Sequence, residues 1–234
     1  MVILPIEVQR KLARSLVLAL LLLQMSMILA VYLVSGLKGY LELPKIFISN
    51  AFRVDPARAI AAFVLPLCAF ISFMLVGLRC LLLHDLLRNP VDKRLFWTTV
   101  VFMSTSALGM VAVSAVSIDT MKLLHWIVAA TMFGSSTVVM CLISVIEHRI
   151  GLQQPAWLHR SRIGMFALSI VAIVVLMATS TIQPLVASIA ELVLAALLLA
   201  WSVTLVHGSS FPLVAFKEPR SPRPSGEYLI RDEL

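Results

Sequence analysis

Residues Ala59–Leu83 read AIAAFVLPLCAFISFMLVGLRCLLL and contain a single charged side chain, that of Arg79. About 20 apolar residues are enough for a helix to cross the roughly 30 Å hydrocarbon core of a bilayer. The run has 25 residues, and its apolar positions are continuous rather than alternating, which indicates a helix and not a strand of a β-barrel. The stretch therefore predicts a membrane-spanning helix, with Arg79 near its end reaching the headgroups.

Five further runs of similar length and composition lie on either side of this one. The six predicted spans are 15–35, 59–83, 95–117, 123–146, 163–182 and 188–211. They leave an N-terminal segment, 1–14, and a C-terminal tail, 212–234. We therefore predict an all-α polytopic membrane protein in which six transmembrane helices form one bundle.

The composition of the whole chain agrees with this fold class. Of its 234 residues, 60% are hydrophobic and only 13% are charged, whereas soluble domains have about 25% charged residues. This composition argues against a soluble enzyme and against a disordered regulator. Three cysteines, an odd number, provide no disulfide framework. The net charge of +7 comes from short basic clusters between the apolar runs, so no nucleic-acid partner is expected.

The distribution of lysine and arginine predicts the orientation. The segments on the side of the N-terminus carry 14 of these residues, and those on the other side carry five. Because basic residues are enriched in cytoplasmic connections, both termini are expected in the cytosol. The connection 36–58 then faces a lumen or the outside, where we expect Ile46, Phe47 and Ile48 to dip into the headgroup layer.

The tail 212–234 is expected to be disordered, because its prolines stand among charged residues. Pro219 and Pro222 match a minimal PxxP pattern, which indicates a protein partner for the tail. The chain ends in Arg231-Asp232-Glu233-Leu234, similar to a retrieval signal that is read in a lumen. The predicted orientation places this end in the cytosol, so we interpret the similarity as coincidence.

Charged and titratable groups in the spans collect at the predicted lumenal ends of the helices. Arg58 begins the second span, His125 lies in the first turn of the fourth, and Glu191 in the first turn of the sixth, while Asp119 is in the short turn before the fourth. Because charge inside a bilayer costs about 2.5–3.5 kcal/mol per residue at the helix centre, each group requires an explanation. We hypothesise that Arg58, His125, Glu191 and Asp119 form a polar binding cluster in which Glu191 pairs with Arg58 or His125.

Helix capping is the alternative interpretation of the acidic members. Ser188 and Glu191 have the spacing of a capping box. Asp55-Pro56 matches an N-cap followed by proline at the first helical position, and Asp119 is placed to cap the fourth helix. Capping does not explain Arg58 or His125, because positive groups are disfavoured at a helix N-terminus.

The third and fourth spans are rich in small residues, which predicts close packing between them rather than a polar conduction path. Charges near the midplane, which a transporter would show, are missing from the spans. The sequence also contains no HExxH, GxSxG or Walker motif and no zinc spacing of Cys and His. We expect no cofactor, no metal and no recognisable catalytic set.

The stretch LPKIFISN at Leu43–Asn50, followed by Pro56-Ala57-Arg58, resembles a motif of the damage-regulated autophagy modulator (DRAM) family. That family includes FRAG- and SFK-type proteins and remodelling factors of the GPI anchor. The residues that carry the motif are Pro44, Ile48, Ser49, Pro56 and Arg58. Further similarities are Leu108-Gly109, His125 and Ala190-Glu191, and the resemblance extends over about residues 15–215.

The resemblance implies a six-span protein of an endomembrane (lysosome, Golgi or ER) or of the plasma membrane. It also implies a link to autophagy, lysosomal function or membrane-lipid homeostasis. We expect a non-catalytic regulator that recognises a membrane lipid at the lumenal polar cluster. The alternatives are a remodelling enzyme of the GPI anchor or another lipid, or its essential subunit, with His125 and Glu191 as acid and base, and a small-solute transporter.

Overall fold

The structure is a computed structural model that describes residues 6–39, 48, 55–84, 86–87, 89–116, 121–152, 155–180 and 182–206. Six long α-helices account for nearly all of the described residues, which contain no strand. In chain order they are α1 Ile6–Leu37, α2 Ala57–His84, α3 Pro90–Ala115, α4 Lys122–Arg149, α5 Ala156–Thr179 and α6 Pro184–Val206. Each is long and apolar enough to cross a membrane, so the all-α, six-span prediction is confirmed.

The helices extend beyond several of the predicted apolar runs. The helix α1 already begins at Ile6, inside the predicted N-terminal segment, and α5 begins at Ala156, seven residues before its predicted span. Helical hydrogen bonding continues past the hydrocarbon boundary, where polar side chains meet headgroups and water, so hydropathy underestimates helix length. Residues 207–211 of the last predicted span and the tail 212–234 lie outside the described part of the chain.

The helices pack in chain order around a central axis. Every consecutive pair is in contact, with α3 and α4 sharing the most extensive contact, and α1 also touches α6. We call the end where α2, α4 and α6 begin the Glu191 end, and the end where they finish the Glu147 end. Lys38 Nζ at the Glu191 end donates to the Asp55 carbonyl at 2.6 Å, which ties the end of α1 to the start of α2.

The hydrophobic core divides along the bundle. At the Glu147 end one cluster joins side chains of α1, α2, α3, α4 and α6, among them Val17, Leu83 and Ile143. At the Glu191 end one cluster belongs to α1 and α2 and another to α4, α5 and α6. The hydrophobic core is therefore continuous at the Glu147 end. At the Glu191 end it is divided into two packed units with space between them, one formed by α1 and α2 and the other by α4, α5 and α6.

The helix starts differ from the predicted caps. Proline is favoured at the first helical position, and α6 begins at Pro184 rather than at Ser188. The Ser188 hydroxyl donates to the Pro184 carbonyl at 2.7 Å, so the predicted capping box of Glu191 is wrong.

The predicted cap at Asp55 also fails at the helix boundary. The helix α2 begins at Ala57, and the Pro56 carbonyl accepts the N–H of Ile60, so Asp55 lies one residue too early to be the N-cap. The N-cap of α4 is Met121, without a side-chain hydrogen bond. Asp119 itself lies outside the described residues.

The predicted close packing of the third and fourth spans is confirmed. A Cβ atom added at Gly109 of α3 would lie 3.0 Å from Cβ and 3.1 Å from Cα of Met132 in α4. One turn away, the hydroxyls of Ser106 and Ser136 are 2.5 Å apart. Only a residue without a side chain allows the two backbones to approach this closely.

We expect Gly109→Ala to destabilise the protein by about 1–3 kcal/mol, the usual cost of overpacking. The gain in helix propensity, at most about 1 kcal/mol, does not compensate for pushing two backbones apart. Gly134 of α4 is the matched control, since a Cβ there meets no atom within 4 Å. Unfolding by sodium dodecyl sulfate in mixed micelles should show Gly134→Ala unchanged or more stable. Equal stability of the two variants would contradict the close approach.

Candidate functional site

A central cavity of about 140 Å³ lies between the two packed units of the bundle. Its walls come from α1, α2, α3, α4 and α6, and Ile48 closes part of one end. On α6 the lining extends from Glu191 to Ser202, and at 1.5 Å per residue these eleven steps correspond to a depth of about 16 Å. The cavity is therefore a narrow shaft that begins near the Glu191 end and passes the middle of the bundle.

The shaft is mainly apolar, with polar groups spread along its depth. Leucine, methionine, phenylalanine, valine and alanine side chains form most of the wall. The polar lining residues are Gln24, Ser72, Ser106, His125, Ser136, Glu191 and Ser202. Among the described lining residues none is Lys or Arg, and Glu191 is the acidic one.

Glu191 lies in the part of the shaft nearest the Glu191 end, which we call the mouth. Its Oε2 accepts the backbone N–H of Ile48 at 2.7 Å, a contact between positions 143 residues apart in the chain. Tyr32 of α1 lies within electrostatic range of the same carboxylate. The side chain of Ile48 is only 9% exposed and lines the shaft. The expectation that Ile48 dips into the headgroup layer is thus wrong, because the hydrogen bond to Glu191 holds it over the cavity; Ile46 and Phe47 lie outside the described residues.

His125 lies in the first turn of α4 and is 4% exposed. Its Nδ1 is 2.9 Å from the Val116 carbonyl at the end of α3. Because a carbonyl can only accept a hydrogen bond, Nδ1 carries the proton and donates it. In the neutral ring Nε2 then has a free lone pair, and it has no hydrogen-bond partner in the part of the chain that the structure describes. His125 thus offers a fixed hydrogen-bond acceptor.

The structure brings some of the predicted site residues together and leaves others apart. His125, Glu191 and the motif residue Ile48 line the same shaft. Arg58 is the second residue of α2, with an exposed side chain that does not line the shaft, and Pro56 is exposed just before that helix. Asp119, Pro44 and Ser49 lie outside the described residues.

The deep part of the shaft contains a polar group without a partner. Trp201 is 4% exposed and lines the cavity, and its indole Nε1 has no hydrogen-bond partner in the described structure. An unsatisfied buried donor costs about 1–3 kcal/mol. Ser136 gives its one proton to the Met132 carbonyl, so Ser106 donates to Ser136 and keeps its own lone pairs for the cavity.

A buried ion network, which was not predicted from the sequence, lies at the Glu147 end. Glu147 of α4 accepts Arg79 Nε of α2 at 2.7 Å and also binds Arg162 Nη1 of α5. Arg162 further donates through Nε to the Thr204 hydroxyl at 3.0 Å and through Nη2 to the Thr204 carbonyl of α6 at 2.8 Å. The three charged residues are 1–2% exposed. They connect four of the six helices.

Two expectations are corrected by this network. Arg79 does not reach the headgroups, because it is paired inside the bundle. Arg162, expected in a connection between spans, is the seventh residue of α5. The signal in the sequence was Glu147, an acidic residue near the end of a span on the side where only basic residues were counted.

A second ion pair joins α3 to α4 at the same end. Arg149 Nε lies 2.5 Å from Asp92 Oδ1, but the Arg149 side chain is 41% exposed, in contrast to the buried network. The rings of His148 and His159 stack nearby with centroids 5.9 Å apart. In the described part of the chain, no three His, Cys, Asp or Glu side chains lie close enough together to hold a metal ion.

Comparison with known proteins connects this architecture to one family. The family described as the Frag1/DRAM/Sfk1/Cwh43P N-terminal domain matches residues 13–207, which include all of α2 to α6 and most of α1. Searches of curated proteins and of solved structures found no significant match. Because the match covers most of the chain, the protein with this six-helix bundle belongs to the Frag1/DRAM/Sfk1/Cwh43P family.

Proposed function

We propose that this protein is a non-catalytic membrane regulator that holds one lipid molecule in the central shaft and thereby acts in membrane-lipid homeostasis. The observation that carries the proposal is the continuity of the cavity, which joins a polar mouth at Glu191 and His125 to an apolar passage about 16 Å deep. Small-molecule sites are typically apolar cavities with a few convergent polar groups. An amphiphile has the same division between a polar head and an apolar chain.

The unpaired indole of Trp201 supports an occupied shaft. A buried donor without an acceptor in the described structure is unfavourable by about 1–3 kcal/mol, and the side chain that carries it is one of the residues that line the cavity. An acceptor atom on the bound lipid, or a water molecule that accompanies it, would remove this penalty. The deep end of the site thus favours a ligand that is not purely hydrocarbon.

The excess of basic residues supports an orientation for the site. With the Glu147 end in the cytosol, the mouth of the shaft opens at the lumenal or outer leaflet. Protease added to the cytosolic side of sealed vesicles should then remove tags from both termini, and protection of either tag would contradict this orientation.

The proposal is tested by filling the shaft. Ala195 lies one turn below Glu191 and lines the cavity, whereas its neighbour Ala196 is exposed on the lipid-facing side. We expect Ala195→Phe to lower the amount of co-purifying lipid about tenfold, the effect of roughly 1.4 kcal/mol. Ala196→Phe is the matched control and should retain the wild-type amount. Native mass spectrometry of the purified protein measures both.

A second variant that fills the cavity at another position keeps the test valid if Ala195→Phe fails to fold. Ala129 of α4 also lines the shaft, and Ala129→Phe should reduce bound lipid in the same way. Wild-type protein without bound lipid, or equal lipid in all folded variants, would contradict the proposal. Loss of lipid with an unchanged cellular lipid profile but altered autophagic flux would favour a role in autophagy.

A lipid-remodelling enzyme is the second candidate, favoured by the fixed tautomer of His125. The unprotonated Nε2 is the atom that a general base needs, and Glu191 lines the same cavity. Chemical conversion of the bound lipid by wild-type protein, lost in His125→Gln, would decide for the enzyme over the regulator.

A further inference from the structure

The inner end of the shaft carries serine hydroxyls from four helices. The shaft ends on the continuous core of the Glu147 end, because four of its lining residues belong to that core: Val76, Met103, Val139 and Trp201. About one helical turn from the first three of these residues, toward the mouth, each helix carries a serine, and a fourth serine directly follows Trp201. We call these four lining residues the serine floor: Ser72 of α2, Ser106 of α3, Ser136 of α4 and Ser202 of α6.

The serine floor has more free acceptor positions than free donors. Ser136 and Ser202 each donate to the carbonyl four residues earlier in their own helix, at 2.9 Å. Since Ser136 has no second proton, Ser106 donates to it. Ser72 makes no hydrogen bond in the part of the chain that the structure describes. Because each hydroxyl has one proton and two lone pairs, the floor keeps one free proton, on Ser72, and several free lone pairs.

Trp201 gives an independent indication that an oxygen atom belongs at this level. Its side chain lines the shaft and is 4% exposed, and its indole N–H has no acceptor in the described structure. Ser72 and Trp201 therefore supply two donors without a described acceptor near the inner end of one cavity. Six helices that can span a membrane surround this level, where bulk water does not satisfy polar groups.

An uncharged hydroxyl group fits the serine floor better than the other common ends of a lipid chain. A methyl end leaves the Ser72 proton without a partner, and an unpaired buried polar group is unfavourable. A carboxylate or a phosphate cannot donate to the free lone pairs, and neither Lys nor Arg is among the described lining residues to compensate its charge. An ammonium group cannot accept the Ser72 proton. A hydroxyl both donates and accepts.

Since it rests on the proposed lipid-binding function, the following inference specifies the ligand class of the same site. We propose that the shaft binds a lipid whose chain carries a hydroxyl group at the end away from the head. This hydroxyl donates to a free lone pair of Ser106 or Ser202 and accepts the proton of Ser72. The chain occupies the apolar passage between the mouth and the serine floor.

Three photoreactive alkylglycerols test this ligand class, each added to the full chain in nanodiscs. Their chains are long enough to span the shaft and carry a diazirine next to the far end, which is a hydroxyl, a methyl ether or a methyl group. We expect the hydroxyl probe to label residues around the serine floor about tenfold more than the other two probes. The methyl ether can accept the Ser72 proton but cannot donate to the free lone pairs.

Serine variants assign the preference to the floor. We expect the double variant with Ser72→Ala and Ser106→Ala to reduce the preference for the hydroxyl probe from about tenfold to less than about twofold, because it removes the free proton and two free lone pairs. Ser104→Ala is the matched control and should keep the full preference. Ser104 is half-buried on α3 like Ser106 and donates to a carbonyl of its own helix, but it does not line the shaft.

The single variant Ser72→Ala separates binding from folding. It breaks no hydrogen bond in the described structure, so the variant should unfold like the wild type in mixed micelles of sodium dodecyl sulfate. A reduced preference for the hydroxyl probe in this variant then reports on the ligand. Mapping of the labelled residues by mass spectrometry distinguishes the serine floor from the mouth and from the lipid-facing surface.

The outcomes separate this inference from the function on which it rests. Equal labelling of the floor by the three probes, or a hydroxyl preference that survives the double variant, would overturn the ligand class and leave lipid binding intact. Labelling by the methyl ether that equals labelling by the hydroxyl probe would also overturn it. If none of the probes labels any part of the shaft, the proposed function itself is contradicted.

Discussion

Replacing Glu147 with glutamine is expected to destabilise the bundle by about 3–5 kcal/mol, the usual cost of breaking a buried ion pair by removing one partner. The carboxylate lies between Arg79 and Arg162, and all three residues are at most 2% exposed. Without it, two buried guanidinium groups lose the carboxylate that they share. Glutamine has a similar shape, so the effect comes from charge and not from a cavity.

Asp92→Asn is the matched control for this variant. It also removes a carboxylate that joins two helices at the Glu147 end, but its partner Arg149 is 41% exposed and can be hydrated. The Asp92 side chain is 10% exposed, so the pair is only partly buried, and ion pairs that water reaches contribute about 0–1 kcal/mol. Unfolding by sodium dodecyl sulfate in mixed micelles should therefore separate the two variants by several kcal/mol. Equal loss of unfolding free energy in the two variants would show that burial does not increase the contribution of the Glu147 network to stability.

Combined replacement of the network tests the same explanation from the opposite direction. Buried ion pairs exchanged for well-packed apolar residues often leave stability unchanged or higher. We expect a triple variant with Arg79→Met, Glu147→Met and Arg162→Met to recover most of the stability lost in Glu147→Gln. If the triple variant is less stable than Glu147→Gln, the loss of the carboxylate charge does not explain the destabilisation.

Replacing Arg162 with lysine is expected to cost nearly as much as replacing it with alanine, again about 3–5 kcal/mol. Arg162 uses three separate nitrogens: Nη1 for Glu147, Nε for the Thr204 hydroxyl and Nη2 for the Thr204 carbonyl. A lysine ammonium is a point charge and cannot satisfy three acceptors in this planar arrangement. The contact of α5 with both α4 and α6 should weaken at this end.

Arg160 provides the control on the same helix. It lies two residues earlier in α5 with an exposed side chain, and its replacement with alanine should change the unfolding free energy by less than about 0.5 kcal/mol. The same measurement applies to all three variants. Wild-type stability of Arg162→Lys would mean that the positive charge alone, and not the guanidinium geometry, is required.

Much of the fold could be predicted from the amino-acid sequence, because each helix depends on the composition and length of its own segment. A segment that crosses a bilayer must satisfy its backbone hydrogen bonds within itself, so an apolar run of sufficient length specifies a helix without information from the rest of the chain. The small residues around Gly109 predicted the close contact of α3 with α4 for a similar reason, since the absence of a side chain is visible in the sequence. Helix ends were harder to predict: α6 begins at Pro184, whereas the sequence pattern indicated a cap at Ser188.

Only part of the candidate site could be predicted from the sequence. His125 and Glu191 stood out because a titratable group near an apolar segment needs an explanation, but the sequence did not distinguish Glu191 as a cap from Glu191 as a cavity group. Arg58 stood out equally, and its side chain does not line the shaft. Trp201 and the partners of Glu147 gave no local signal, because tryptophan and end-of-helix charges are ordinary in membrane proteins.

Sequence alone thus determined that this chain is a six-helix membrane protein, since insertion into a bilayer is decided segment by segment by apolar length and charge. Only the tertiary structure decided which polar groups meet. That depends on the rotation of each helix about its axis and on how far the bundle opens, both set by packing between residues distant in the chain. Glu191 consequently contacts Ile48, 143 positions away, and Glu147 joins two arginines from other helices.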